Sequence, residues 1–121
     1  MSVARTIALV APLALPLVAP AQDVGAGKTA FAQQCGACHA TDGRNGLGPS
    51  LKGVTGRPAG TLDGFHYSAS MKGFARPWDG AALDAFLASP QKAVPGNAMP
   101  FPGIADAKQR ADLVAYLASL K

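Results

Sequence analysis

The strongest periodic signal lies near the C-terminus, where Leu113, Val114, Leu117 and Leu120 recur at the spacing of one helical face. Asp106 and Gln109 give that helix a capping-box-like start, and the stripe runs out near Lys121. A second stripe of Leu83, Phe86 and Leu87 predicts a helix over residues 81–89, with Asp79 as its N-cap and Pro90 as its end. Ala30, Phe31 and Cys35 share a face of a predicted helix over residues 26–35, and a short helix is predicted over residues 68–74. Residues 40–64 hold seven glycines and two prolines with weak periodicity, and residues 91–103 are again rich in proline and glycine. Both stretches read as loops, and loops of this length are uncommon in compact domains unless they are functional. No segment alternates with period two, so the fold class is all-α, with loops almost as long as the helices combined.

The first 21 residues are of a different kind. Arg5 precedes an apolar run over residues 7–18, and the segment closes on Ala19-Pro20-Ala21, the small-any-small pattern read by signal peptidase. The run is about 12 residues, short of the roughly 20 that span a bilayer, and Pro12 and Pro16 interrupt it. Residues 1–21 therefore read as a cleaved signal peptide, with a retained N-terminal anchor as the alternative. Residues 22–121 read as one domain.

Setting the leader aside changes the composition. Without Arg5 the formal charge falls from +4 to +3, and 21 of the remaining 100 residues are Gly or Pro. Eight aromatics in 100 residues build a modest core, so something other than side chains is expected to help fill the interior. Two cysteines are too few for a disulfide scaffold, and 49% apolar against 15% charged residues excludes disorder. The basic residues are scattered and not interleaved with aromatics, which argues against a nucleic-acid partner.

Both cysteines and one of the two histidines fall in Cys35-Gly36-Ala37-Cys38-His39. Two thiols three residues apart at the end of a helix reach the two vinyl groups on one edge of a haem and form thioethers. The adjacent imidazole then lies under the iron, the arrangement of c-type haem attachment. Three rival readings are weaker. A thioredoxin-like disulfide would follow a strand, and none precedes it. Zinc would need His66 together with all three of Cys35, Cys38 and His39. A structural disulfide would close a tiny loop and stabilise little.

A haem iron bound by His39 needs a sixth partner or an open site. Outside the leader, Met71 and Met99 are available. Met99 lies in a stretch stiffened by prolines and glycines on both sides, which suits presenting one atom at a fixed place. Met71 falls in a short helical stretch, where filling the core is the commoner role. Met99 is thus the expected second metal ligand beside His39, and a thioether there favours reduced iron.

Several motifs occur in series: Gly27 and Phe31 before Cys35–His39, then Gly48-Pro49-Ser50-Leu51, Gly56-Arg57 and Gly64-Phe65-His66-Tyr67-Ser68. Trp78, Pro95-Gly96-Asn97-Ala98-Met99 and the run from Arg110 through Asp112 to Tyr116-Leu117 follow. In this order they resemble the class I c-type cytochromes, of the mitochondrial and bacterial cytochrome c2 type, over essentially all of residues 22–121. The resemblance implies the cytochrome c fold, with four to five helices and long loops wrapped around one covalently bound haem. It implies that the carbonyl of Pro49 orients His39, and that Arg57, Tyr67 and Trp78 hold a buried haem propionate. Without it, Trp78 reads as a core residue and Arg57 as a solvated loop charge. It also implies that Gly27 and Phe31 sit where the first helix crosses the last, near Leu113 and Tyr116. His66 reads as an exposed loop histidine, with a weak propionate contact as the alternative.

There are departures. Phe86 stands where mitochondrial members usually have a tyrosine near the methionine sulfur, Asn97 where threonine is common, and Met71 where asparagine is common. These are expected to loosen control over the iron–sulfur bond. The family rings its exposed haem edge with lysines, whereas this chain has Gln34, Gln91 and Ala98 at several such places, leaving Lys92, Lys28 and Lys52. Charge steering of partners is therefore expected to be weak.

The resulting expectation is a soluble, monomeric periplasmic one-electron carrier, not an enzyme, cycling Fe(III)/Fe(II) in a His/Met-ligated haem. Expected redox partners are a quinol–cytochrome c oxidoreductase, a terminal oxidase, a photosynthetic reaction centre or a periplasmic dehydrogenase or reductase. Contact with the membrane would come only through such complexes. The alternatives are a haem-bearing subunit of a larger periplasmic enzyme and a weak haem peroxidase.

Overall fold

The computed structural model describes residue 3, residues 7–17 and residues 22–121. Among the described residues five helices form: α1 (Val24–Gln34), α2 (Ala69–Phe74), α3 (Gly80–Ala88), α4 (Pro90–Ala93) and α5 (Ala107–Ser119). The only β-type pairing among these residues is an isolated bridge between Pro58 and Pro77. Four helices start on a side-chain cap. Asp23 accepts from Ala26 N, Ser68 from Met71 N, Asp79 from Ala82 N and Asp106 from Gln109 N. Each such cap satisfies a backbone donor that the helix itself leaves unpaired, worth about 1 kcal/mol.

The predicted helices recur within one or two residues of their expected ends, and the all-α class stands. Two differences have physical causes. Pro90 ends α3 but also opens α4, because its fixed φ and missing N–H suit the first position of a helix. Ser89 forms the joint, extended at φ −158° and ψ 94°. The loops also outweigh the helices, since residues 35–68 contain no helix at all.

The scaffold is the crossing of α1 and α5. A Cβ on Gly27 would run into the Asp112 carbonyl and lie 2.8 Å from Tyr116 Cβ, so only glycine lets the two backbones approach this closely. The Phe31 and Tyr116 rings meet beside it at 5.5 Å. Asp112 fastens the crossing, accepting from Asp23 N at 2.9 Å and from Lys108 Nζ at 2.6 Å. The α5 stripe faces inward as expected, with Leu113 fully buried and Leu117 nearly so. Arg110 joins α5 to α3 through Asp84 at 2.9 Å, and also donates to the Ile104 carbonyl at 2.8 Å.

Residues 7–17 form no regular structure, and their large apolar side chains are exposed, Leu9 by 93% and Leu17 completely. Arg5, Val18 and the Ala19-Pro20-Ala21 cleavage pattern lie outside the described residues. No helix among the described residues is long and apolar enough to cross a membrane.

Candidate functional site

The site starts where α1 stops. Cys35 N and Gly36 N both donate to the Phe31 carbonyl, and the chain then turns so that Cys38 N and His39 N both donate to the Cys35 carbonyl at 3.0 and 2.9 Å. One turn therefore gathers both thiols and the imidazole. The thiols are free and half-buried. Burial, reinforced by neighbouring Cys38, pushes the Cys35 thiol up to about 11. A redox-active thiol is ordinarily shifted the other way.

His39 is held by the chain that follows it. Its Nδ1 lies 2.7 Å from the Pro49 carbonyl oxygen. That oxygen only accepts, so Nδ1 carries the proton and Nε2 keeps its lone pair. Gly48 lies flat against the ring, where a Cβ would sit 2.7 Å from Nδ1 and 2.9 Å from Nε2. The need here is for space, since Gly48 is absent from the glycines with positive φ. Gly48 N returns to the Cys38 carbonyl at 2.9 Å, and Leu51 N to the Ala40 carbonyl at 2.9 Å. Ser50, only 1% exposed, accepts from Gly43 N with its hydroxyl and donates its own N–H to Asn45 Oδ1. Periodicity gave no hint of Ser50 or Asn45, because their partners lie in the same irregular loop.

Arg57 is joined to this loop. Its guanidinium donates to the Ser50 and Lys52 carbonyls at 3.1 and 3.2 Å, so it is not the free solvated charge that composition alone suggests. Main-chain bonds connect it to Trp78: Trp78 N donates to the Arg57 carbonyl at 3.0 Å, and Gly56 N to the Trp78 carbonyl at 2.8 Å. Trp78 is buried between Phe74 and Phe86, at ring distances of 5.3 and 5.0 Å. Tyr67 stands apart. It packs edge-on against Phe65 at 4.9 Å, and its hydroxyl accepts from Leu62 N at 3.3 Å, leaving its own proton to donate. The structure thus brings together His39, Pro49, Arg57 and Trp78, and leaves Tyr67 without a direct bond to them. His66 is exposed, as expected for a loop histidine.

Met99 lies in a separate loop, after α4. It is half-buried against the core that contains Trp78 and Phe86, as is Met71. Cys35, Leu51, Phe74 and Phe101 pack on the same core and are likewise only half-buried. The donor set fits a c-type haem. Two free thiols stand beside an imidazole held at Nδ1, a thioether lies in a second loop, and half-buried apolar side chains flank the core between them. Among the described residues no group of three or more His, Cys, Asp and Glu side chains is arranged for a metal ion.

Residues 24–121 match the sequence model of a family described as Cytochrome c. The chain is 45% identical over 98 residues to a cytochrome c-type cyt cy of Rhodobacter capsulatus, covering 81% of this chain and 49% of that protein. It therefore spans about half the length of that relative. It is 46% identical to a cytochrome c of Tetrahymena pyriformis, over 84% of this chain and 92% of the other. It is 42% identical to a cytochrome c2 of Rhodoblastus acidophilus, over 84% and 95%. Among solved structures, cytochrome cH from Methylobacterium extorquens superposes with a TM-score of 0.76 at 48% identity, covering 80% of this chain and 98% of that one.

Proposed function

The chain belongs to the cytochrome c family of electron carriers and binds one covalent c-type haem, and from that premise we propose a periplasmic one-electron carrier whose iron is held between His39 and Met99. The haem supplies the Fe(III)/Fe(II) couple. The protein's part is attachment, orientation and exclusion of water. Cys35 and Cys38 hold the two vinyl positions through thioethers. Pro49 fixes the tautomer and direction of His39, so that Nε2 is presented and its basicity raised. Met99 would offer a soft thioether as the second protein ligand, a donor that favours reduced iron. Arg57, Tyr67 and Trp78 are the propionate-side residues. Tyr67 has a hydroxyl proton to give, and Arg57 brings a fixed positive charge held by the Ser50 and Lys52 carbonyls.

The observation that carries this reading is the 2.7 Å contact from His39 Nδ1 to the Pro49 carbonyl, because it leaves a single ring nitrogen available for a metal. Residues 1–21 act as the export signal in this reading, with covalent attachment following export. Partners are membrane quinol–cytochrome c oxidoreductases, terminal oxidases, photosynthetic reaction centres or periplasmic dehydrogenases and reductases, met through one exposed haem edge.

The test is a mass measurement on the exported protein together with the optical spectrum of its ferric form. The expected mass is that of residues 22–121 plus one haem, and the expected spectrum shows the sulfur–iron charge-transfer band at neutral pH. A mass retaining residues 1–21 contradicts cleavage of the leader and favours a retained N-terminal anchor. Absence of the band contradicts Met99 as ligand.

A further inference from the structure

The loop that presents Met99 is clasped by two side-chain amides. Asn97 is 7% exposed, one of three buried polar residues among those described. Its Oδ1 accepts from Met99 N at 2.9 Å, and its Nδ2 donates to the Pro90 and Val94 carbonyls, both at 2.9 Å. The orientation is fixed by the partners. Turning the amide over would set its oxygen against two carbonyl oxygens and its NH2 against an N–H. Gln91 brackets the same loop from α4. Its Nε2 donates to the Asn97 carbonyl at 3.0 Å, and its Oε1 accepts from Gly96 N at 3.2 Å.

The Pro90 and Val94 carbonyls, at the two ends of α4, already accept from Val94 N and Asn97 N. The Asn97 amide adds a second bond to each, while its oxygen holds the backbone of the residue two positions on. A threonine at this position has one hydroxyl donor where the amide has two, and could not hold all three groups at once.

We propose that Asn97 is a positioning residue for the Met99 sulfur, tying the Met99 backbone to the end of α4 so that release of the thioether requires the amide contacts to break. This rests on the reading that Met99 ligates the iron. An open loop exposes the sixth position, so the apparent affinity of an external ligand reports how often the loop is open.

The test titrates imidazole into the ferric holoprotein of the wild type, Asn97→Ala and Asn97→Thr, with Asp112→Asn as a control at the distant α1–α5 crossing. Loss of the clasp is expected to raise imidazole affinity about tenfold in Asn97→Ala, and by less in Asn97→Thr. Hydrogen exchange at the Met99 amide should quicken in Asn97→Ala, and Asp112→Asn should bind imidazole like the wild type. If Asn97→Ala does not load haem, Asn97→Thr carries the comparison. Wild-type affinity in the Asn97 variants, with the charge-transfer band intact, overturns the proposal alone. An equal rise in Asp112→Asn also overturns it, because general loosening would then explain the effect. A wild type without the band, or a Met99→Leu variant that keeps it, removes the ligation reading and the proposal together.

Discussion

The two segments that face each other across the proposed iron site are built on different principles. On the His39 side the groups that meet the ring are main chain, the Pro49 carbonyl and the bare backbone of Gly48. They are held by bonds from Gly48 N and Leu51 N and braced further out by the Ser50, Asn45 and Arg57 side chains. On the Met99 side the restraint is side chain: the amides of Asn97 and Gln91 hold a loop that otherwise has few internal bonds. A main-chain restraint survives most substitutions, because almost any residue supplies the same carbonyl and N–H. A side-chain restraint is set by one or two residue types. The His39 side is accordingly the fixed half of the site, and the Met99 side is the half that substitution tunes.

The largest expected effect breaks the fixed half where its backbone meets the His39 ring. Gly48→Ala puts a methyl group into the His39 ring, and overpacking of this kind costs about 1–3 kcal/mol. The yield of haem-loaded protein should fall sharply, and thermal unfolding of what remains should come earlier. Normal yield and stability would show that the loop yields and is not fixed by its backbone.

A second substitution lies outside both halves. The Lys108 ammonium, helped by the Asp23 N–H, holds the Asp112 carboxyl below its ordinary value in the folded protein. That contribution is present above the ordinary carboxylate range and is lost as pH falls through the folded value. Asp112→Asn should therefore lower the melting temperature at about pH 7, and the difference from wild type should close by about pH 2. A difference that persists at low pH would mean that the carboxylate charge is not what fastens α1 to α5.

Smaller effects are expected on the tunable half. Phe86 is buried against Trp78 where mitochondrial members usually have a tyrosine, so Phe86→Tyr adds a hydroxyl close to the methionine side. One new hydrogen bond of about 1 kcal/mol corresponds to on the order of 40 mV for a one-electron couple. Potentiometric titration showing no shift would separate Phe86 from the methionine environment. The smallest effect is on docking. Gln91 spends its amide on the loop where the family offers a lysine to partners, so electron-transfer rates should fall only mildly as salt rises. A steep fall would relocate the docking face.

The legible part of the molecule was the part governed by periodicity and by caps. Leu113 and Leu117 are buried as their spacing required, and Asp79 and Asp106 cap the helices they precede. The attachment turn at Cys35–His39 was legible because its chemistry is local in sequence. α4 was not, because Pro90 signals a stop and a start equally. Ser50, Asn45 and Asn97 were not either. A polar residue in a glycine-rich loop reads as surface until its partners are known, and those partners are carbonyls and amides brought close by the turn itself. Arg57 was legible only through family resemblance, since no local pattern marks a guanidinium that will meet the Ser50 and Lys52 carbonyls.

The central claim is that Met99, presented by a side-chain clasp, faces His39 across the iron. The most direct measurement is an NMR spectrum of the ferrous holoprotein with its methionine methyl groups isotopically labelled, the signals being assigned with Met99→Leu. The account expects the Met99 methyl far upfield in the ring current of the haem and the Met71 methyl in the ordinary range. Both methyl groups in the ordinary range, or Met71 shifted in place of Met99, would contradict it.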